Sequence, residues 1–214
     1  TGSAASITGV GFQPDWVWVK DRGATNSHNL SDAVRGATKT IFSDADAAQV
    51  TDAQRLTSFD SDGFSVGTNT SWNTSSNNYV SWNWKANGAG STNTDGNMNT
   101  TVTTSANTTS GVSVITWTGS GNTTYNTIGH GLGVAPKMFI VKNLTNSADW
   151  IVYHASLGAT KYMKFNTTVA EASATDAWND TAPTSSVITL GSADTTNGTG
   201  KSMVCYAFAE KKGF

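Results

Sequence analysis

Cysteine is the scarcest chemistry in this chain: Cys205 stands alone among 214 residues. One thiol allows neither an internal disulfide nor a cysteine-based metal site. It lies in the apolar run SMVCYAFAE, the setting of a small buried hydrophobe rather than a nucleophile. Charge is scarce as well. Charged residues make up 13% of the chain and the formal net charge is −2, so the basic footprint of a nucleic-acid binder is missing. No run of eighteen apolar residues and no charged-then-apolar leader occurs, which argues against membrane insertion and against a secretory signal. Helical periodicity is nearly absent. Only SHNLSDAVRGA and DADAAQVTDAQRL permit a turn or two of helix.

The motifs of catalysis are also lacking. There is no phosphate-cradling GxxxxGK[ST]. His28, His130 and His154 show no metal-ligand spacing, and His130 lies between glycines, on a turn. Asp44, Asp46, Asp60, Asp62 and Glu171 are dispersed over turn-like segments and do not form the facing carboxylate pair of a glycoside hydrolase. DSDG at Asp60 resembles the start of a calcium loop but lacks the later ligands. The Asn-x-Ser/Thr triplets at Asn69, Asn73, Asn107, Asn122, Asn143 and Asn166 are what an Asn- and Thr-rich chain produces by chance. The expectation is a protein that is not an enzyme and carries no cofactor.

What the chain does contain is itself, twice. GFQPDWVWVKD at Gly11 returns as GVAPKMFIVKN at Gly133, 122 positions on, and GATK at Gly36 returns at Gly158 at the same offset. Two further residues are inserted later, so that FSVG ending at Gly67 falls on VITLG ending at Gly191, and YVSWNWK falls on MVCYAFA, both at 124. TGS at Thr1 matches TGS at Thr118, which in the second copy ends the strong strand GVSVITWTG. The counterpart of that strand would precede Thr1. The run EKKGF follows a strand closely, as though another module came next.

The strong segments are short and rich in Val, Ile, Trp, Tyr, Phe and Thr, bounded by Gly, Asn, Asp and Ser. SFDSDGFSVG predicts a hairpin turning at Asp60–Gly63. In DWVWV both faces are apolar, so the strand is either covered on both sides or turns one face to a neighbour. In YVSWNWK, Val80, Trp82 and Trp84 share one side. Copies of about 100 residues, built of strands, fit sandwiches better than propeller blades. The fold class is therefore all-β, with two tandem β-sandwich repeats of jelly-roll or lectin-like form. The first spans 1–88 with its N-terminal strand missing, 89–110 is a Thr/Asn/Gly-rich link, and the second spans 111–214. Eight tryptophans supply cores, but Trp72 in NTSWNTSSN and Trp178 in TDAWNDTAP stand among short polar residues. Together with Asn73 and Asn179 they are the candidate glycan contacts, because an aromatic platform beside short polar side chains suits a sugar ring.

The ordered run GFQPDWVWVKDR, SHNLSDAVRGATK, LTSFDSDGFSVG, NNYVSWNWKANG, ANTTSGVSVITWTGSG, TIGHGLGVAPKMFIVKN and DWIVYHASLGATKYMKFNTT resembles a tandem domain of tail-fibre-like and other virion proteins from marine and cyanobacterial phages. The resemblance covers nearly the whole chain. It implies a structural protein at the particle surface or tail, with lectin-like β-sandwich modules and no catalytic residues. The expected partners are other virion proteins, two further copies in a homotrimer and a host-surface polysaccharide bound during attachment. A capsid decoration or filament spacer without a ligand is the alternative, and a polysaccharide-degrading tail spike ranks last.

Overall fold

A computed structural model describes residues 2–122 and 126–212. Thr1, where the first TGS begins, and the last two residues of EKKGF lie outside them. In chain order the first strands are β1 (Ala5–Thr8), β2 (Trp16–Asp21), β3 (Asn29–Asp32), β4 (Lys39–Phe42), β5 (Val50–Thr51), β6 (Leu56–Asp60) and β7 (Gly63–Val66). The short helix α1 (Thr70–Asn73) leads to β8 (Tyr79–Trp84) and β9 (Ser91–Thr92). Then come β10 (Thr103–Asn107), β11 (Val112–Thr118), β12 (Asn126–Gly129), β13 (Met138–Asn143), β14 (Ile151–His154), β15 (Lys161–Lys164) and β16 (Ala172–Ser173). After α2 (Thr175–Trp178) the chain ends with β17 (Val187–Leu190), α3 (Asp194–Asn197) and β18 (Ser202–Phe208). The fold is all-β, with four antiparallel sheets in the orders β1-β7-β6, β5-β4-β3-β2-β8, β16-β15-β14-β13-β18-β11-β10-β9 and β12-β17.

The expected hairpin is present, with β6 and β7 pairing from Leu56↔Val66 to Asp60↔Gly63. Its turn is pinned from outside, because the Asp62 carboxylate accepts from the amides of Gly11 at 2.6 Å and Gly9 at 3.0 Å. These two bonds hold the Asp62 carboxyl below its ordinary pKa. The aspartate is therefore a turn clamp.

Period-two alternation divides β2 between two cores. Val17 and Val19 point to one side, where they meet Leu56, Phe64, Val66 and Trp72. Trp16 points to the other side, with Leu30 and Ile41, and meets Val114, Ile140, Trp150, Val152, Val204 and Tyr206. Val17 and Val19 on one face and Trp16 on the other thus pack within this chain, while Trp18, on the same face as Trp16, is only half-buried. A third core lies on the far side of that sheet, where Ile115, Trp117, Phe139, Tyr153, Met203 and Cys205 pack with Ile128, Ile188, Leu190 and Trp178. Each large side chain buried in these cores contributes about 1.5–3 kcal/mol.

Polar groups seal the seam between the two large sheets. Lys142 is fully buried, and its ammonium donates to the carbonyls of Asp46, Ala148 and Asn143 at 2.8–2.9 Å. The Trp150 indole N–H donates to the carbonyls of Phe42 and Ala45. Asp32 accepts from Tyr206 Oη at 2.7 Å and from the Arg35 guanidinium, which also donates to Tyr206, Gln49 and the Leu30 carbonyl. Buried polar groups satisfied this completely fix one arrangement of the sheets.

Candidate ligand surface

The two tryptophans that the sequence marks as sugar platforms are core residues. Trp72 is 3% exposed and Trp178 is fully buried, so neither offers a free ring face. The polar residues beside them have local work that accounts for their presence. Asn69 caps α1, its side chain accepting from the Ser71 amide. Asn73 is buried and donates to the Gly67 carbonyl. Asn179 ends α2 in the left-handed region at φ 48°, a conformation that asparagine tolerates better than most residues. Polar flanks around these tryptophans signal a capped helical turn that drops its indole between sheets. The Trp178 indole N–H donates to the Lys161 carbonyl, and its ring stands edge-on to Phe139 at 4.9 Å.

The exposed aromatic surface lies elsewhere. Trp82 is 46% exposed on β8, the outer strand of the five-stranded sheet, and Phe165 is 41% exposed just after β15. Between them lies half-buried Trp18, 5.7 Å from Trp82 and 5.9 Å from Phe165, with the His28 ring at 6.2 Å. The arrangement follows from register. Trp18 and Trp82 are cross-strand partners on the same face of β2 and β8, as are Trp16 and Trp84, whose rings stack at 4.0 Å. The row continues inward through Tyr206 to Trp150, so the surface rings rest on a packed base. The charges next to Phe165 in sequence are neutralised by the Lys164–Asp149 ion pair at 2.7 Å, which raises the Lys164 pKa and lowers that of Asp149. A rigid aromatic surface of this kind can hold an apolar or sugar-ring face.

Several titratable groups hold local structure. The His130 ring is buried, accepts from the Leu132 amide through Nδ1 and so donates to the Thr184 carbonyl through Nε2; burial lowers its pKa. His154 Nδ1 accepts from the Ser156 amide. Asp44 accepts from the His28 amide, Asp60 from Ser58 and Ser65, and Glu171 from Lys161. Burial pushes the Cys205 thiol up, away from the thiolate that chemistry would need.

These features define a class: an all-β domain of layered antiparallel sheets whose exposed aromatic surface rests on its core. The chain belongs to the family described as domain of unknown function DUF7483, which matches it along residues 1–214. No curated protein and no solved structure matches it.

Proposed function

We propose that this domain is a non-enzymatic module of a phage virion, a tail-fibre or adhesin segment that holds host-surface glycan on the Trp82–Trp18–Phe165 surface. The observation that carries the reading is the exposure of Trp82 and Phe165 beside a half-buried third ring, with the three rings tilted against one another at 5.7–5.9 Å. The architecture that goes with it is a pair of tandem β-sandwich repeats, 1–88 and 111–214, joined by 89–110. Its support is the agreement of element bounds. β2, β3, β4 and β5 recur as β13, β14, β15 and β16 at 122 positions, and β7 and α1 recur as β17 and α3 at 124. In the virion the module assembles as a homotrimer among other virion proteins. Because Trp16 on β2 packs within the chain and Trp18 on the same face belongs to the glycan surface, the trimer contact falls elsewhere.

The test is attachment of the purified chain to host cells and to their extracted surface polysaccharide. Trp82→Ala weakens attachment roughly tenfold, the loss of about 1.4 kcal/mol of ring stacking, with an unchanged melting temperature. Undiminished attachment by Trp82→Ala, or no attachment by the parent chain, rejects the glycan reading; the second result favours a spacer or decoration without a ligand. Native mass spectrometry reads the oligomer separately.

A further inference from the structure

Between the two large sheets opens a cleft of about 290 Å³, and no carboxylate among the described residues lines it. Lys39, Arg35 and Gln49 stand on the wall that the first half provides. The opposite wall is the eight-stranded sheet, where Thr103 lies across from Thr116 and Thr118 across from Ser202, so register gathers four hydroxyls on one face. Among the described residues none of these hydroxyls bonds another side chain or the backbone, and neither does the half-buried Lys39 ammonium.

The second half shows what such a lysine takes as a partner. At 122 positions on, Lys39 and Gln49 correspond to Lys161 and Glu171, and the strands agree in register: Lys39 lies across from Thr51 as Lys161 lies across from Ser173. Lys161 is paired with the Glu171 carboxylate at 2.9 Å. In the first half an amide stands in place of that carboxylate, and the nearby acids are engaged elsewhere. Asp32 is held by Arg35 and Tyr206, and Asp52 by Arg55 and Asn69. Gln49 Oε1 accepts from Arg35 Nη1 at 3.0 Å, and because a guanidinium only donates, this bond leaves the Nε2 hydrogens of Gln49 for another acceptor. One wall thus offers a cation and N–H donors without a matching negative charge.

We propose that this cleft binds one acidic sugar unit. Its carboxylate lies on the Lys39 ammonium and Gln49 Nε2, where the second half has the carboxylate of Glu171, and its ring hydroxyls meet the threonine wall. The charge-assisted bond to a half-buried ammonium supplies the hold, and hydroxyls that both donate and accept suit a polyol. At about 290 Å³ the cleft is at the lower end of small-molecule sites, which run from roughly 300 to 1,000 Å³, and so has room for a single ring. None of Trp18, Trp82 and Phe165 lines it, so the proposal stands apart from the aromatic surface.

The probe is D-glucuronate, titrated against the full chain and followed by amide chemical shifts. One saturable site is expected, with shifts at Lys39, Gln49 and Thr116. Lys39→Met weakens binding roughly tenfold or more, and so does Gln49→Glu, which gives Lys39 the internal carboxylate of the second half and keeps the acceptor for Arg35. D-Glucose, which lacks the carboxylate, binds weaker than glucuronate by about the same factor. Absence of a saturable shift at these residues overturns the proposal, as does binding by Gln49→Glu equal to that of the parent chain. Inorganic phosphate binding as tightly as glucuronate also overturns it, in favour of a simple anion site. Host-cell attachment that persists while glucuronate fails to bind sinks this proposal alone and spares the aromatic surface.

Discussion

At the residue scale, the tryptophans separate into those that hold the fold and those that face outward, and substitution distinguishes them. Trp178→Ala removes a fully buried indole, its bond to Lys161 and its contact with Phe139, and costs about 3–5 kcal/mol. In a chain of this size that loss lowers the melting temperature on the order of 10 °C. Trp82→Ala changes stability by less than about 0.5 kcal/mol, and calorimetry on the two variants side by side checks the contrast. Lys142 gives a second residue-scale prediction, in pH. Burial lowers its pKa from 10.5 to about 8, against the smaller opposing pull of Asp46 and Asp149. Between those two pH values the unfolded chain holds a proton that the folded chain has released, so stability rises with pH there. The gain over the whole window is roughly 3 kcal/mol, and below about pH 8 it is absent. Chemical denaturation between pH 7.5 and 10 should show the rise in the parent chain and not in Lys142→Met; parallel slopes would remove Lys142 as its source.

At the element scale, most strands were legible because each is a short β-branched and aromatic run closed by Gly, Asn or Asp. The DSDG turn was readable from its turn residues and the two-sided β2 from alternation, both local properties of the chain. What sequence did not reveal was which strand would lie at a sheet edge, because that depends on partners far away in the chain. YVSWNWK and MVCYAFA have similar patterns, yet one is an edge with an exposed Trp82 and the other is enclosed. For the same reason the sequence hides the aromatic surface and points instead to the capped tryptophans. Asn and Ser beside Trp72 look like a binding loop until α1 and its Asn69 cap are seen. Gly63 shows how closely two paired strands meet. It pairs with Thr8 across β1 and β7, and a Cβ there would come 1.9 Å from the Ile7 carbonyl oxygen. Gly63→Ala therefore costs more than about 1 kcal/mol and loosens β1 from β7. Accelerated amide exchange on β1, with β13 unchanged, is the expected signature.

At the scale of the whole molecule, the question is whether the N-terminal and C-terminal halves act as beads or as one body, and the seam answers it physically. A central core carries Trp16, Leu30 and Ile41 from one half and Val114, Ile140, Trp150 and Tyr206 from the other, so neither half closes its large sheet without its partner. Across the same seam, Asp32 and Arg35 of the first half bond Tyr206 of the second. Burial works to lower the Arg35 pKa, but the Asp32 carboxylate and the hydrogen bonds to Asp32 and Tyr206 lift it above its ordinary value and hold the guanidinium charged. Removing one member of a buried, bonded pair leaves the other charge uncompensated, at a cost of about 3–5 kcal/mol. Arg35→Met should therefore lower the melting temperature of the whole chain by an amount similar to that of Trp178→Ala, although Arg35 belongs to the first half and Trp178 to the second. Both variants should still melt in one transition, with calorimetric and van't Hoff enthalpies in agreement, because the shared core couples the halves. Two resolved transitions, with Arg35→Met moving only one of them, would mean that the seam is a weak contact and that the halves fold independently.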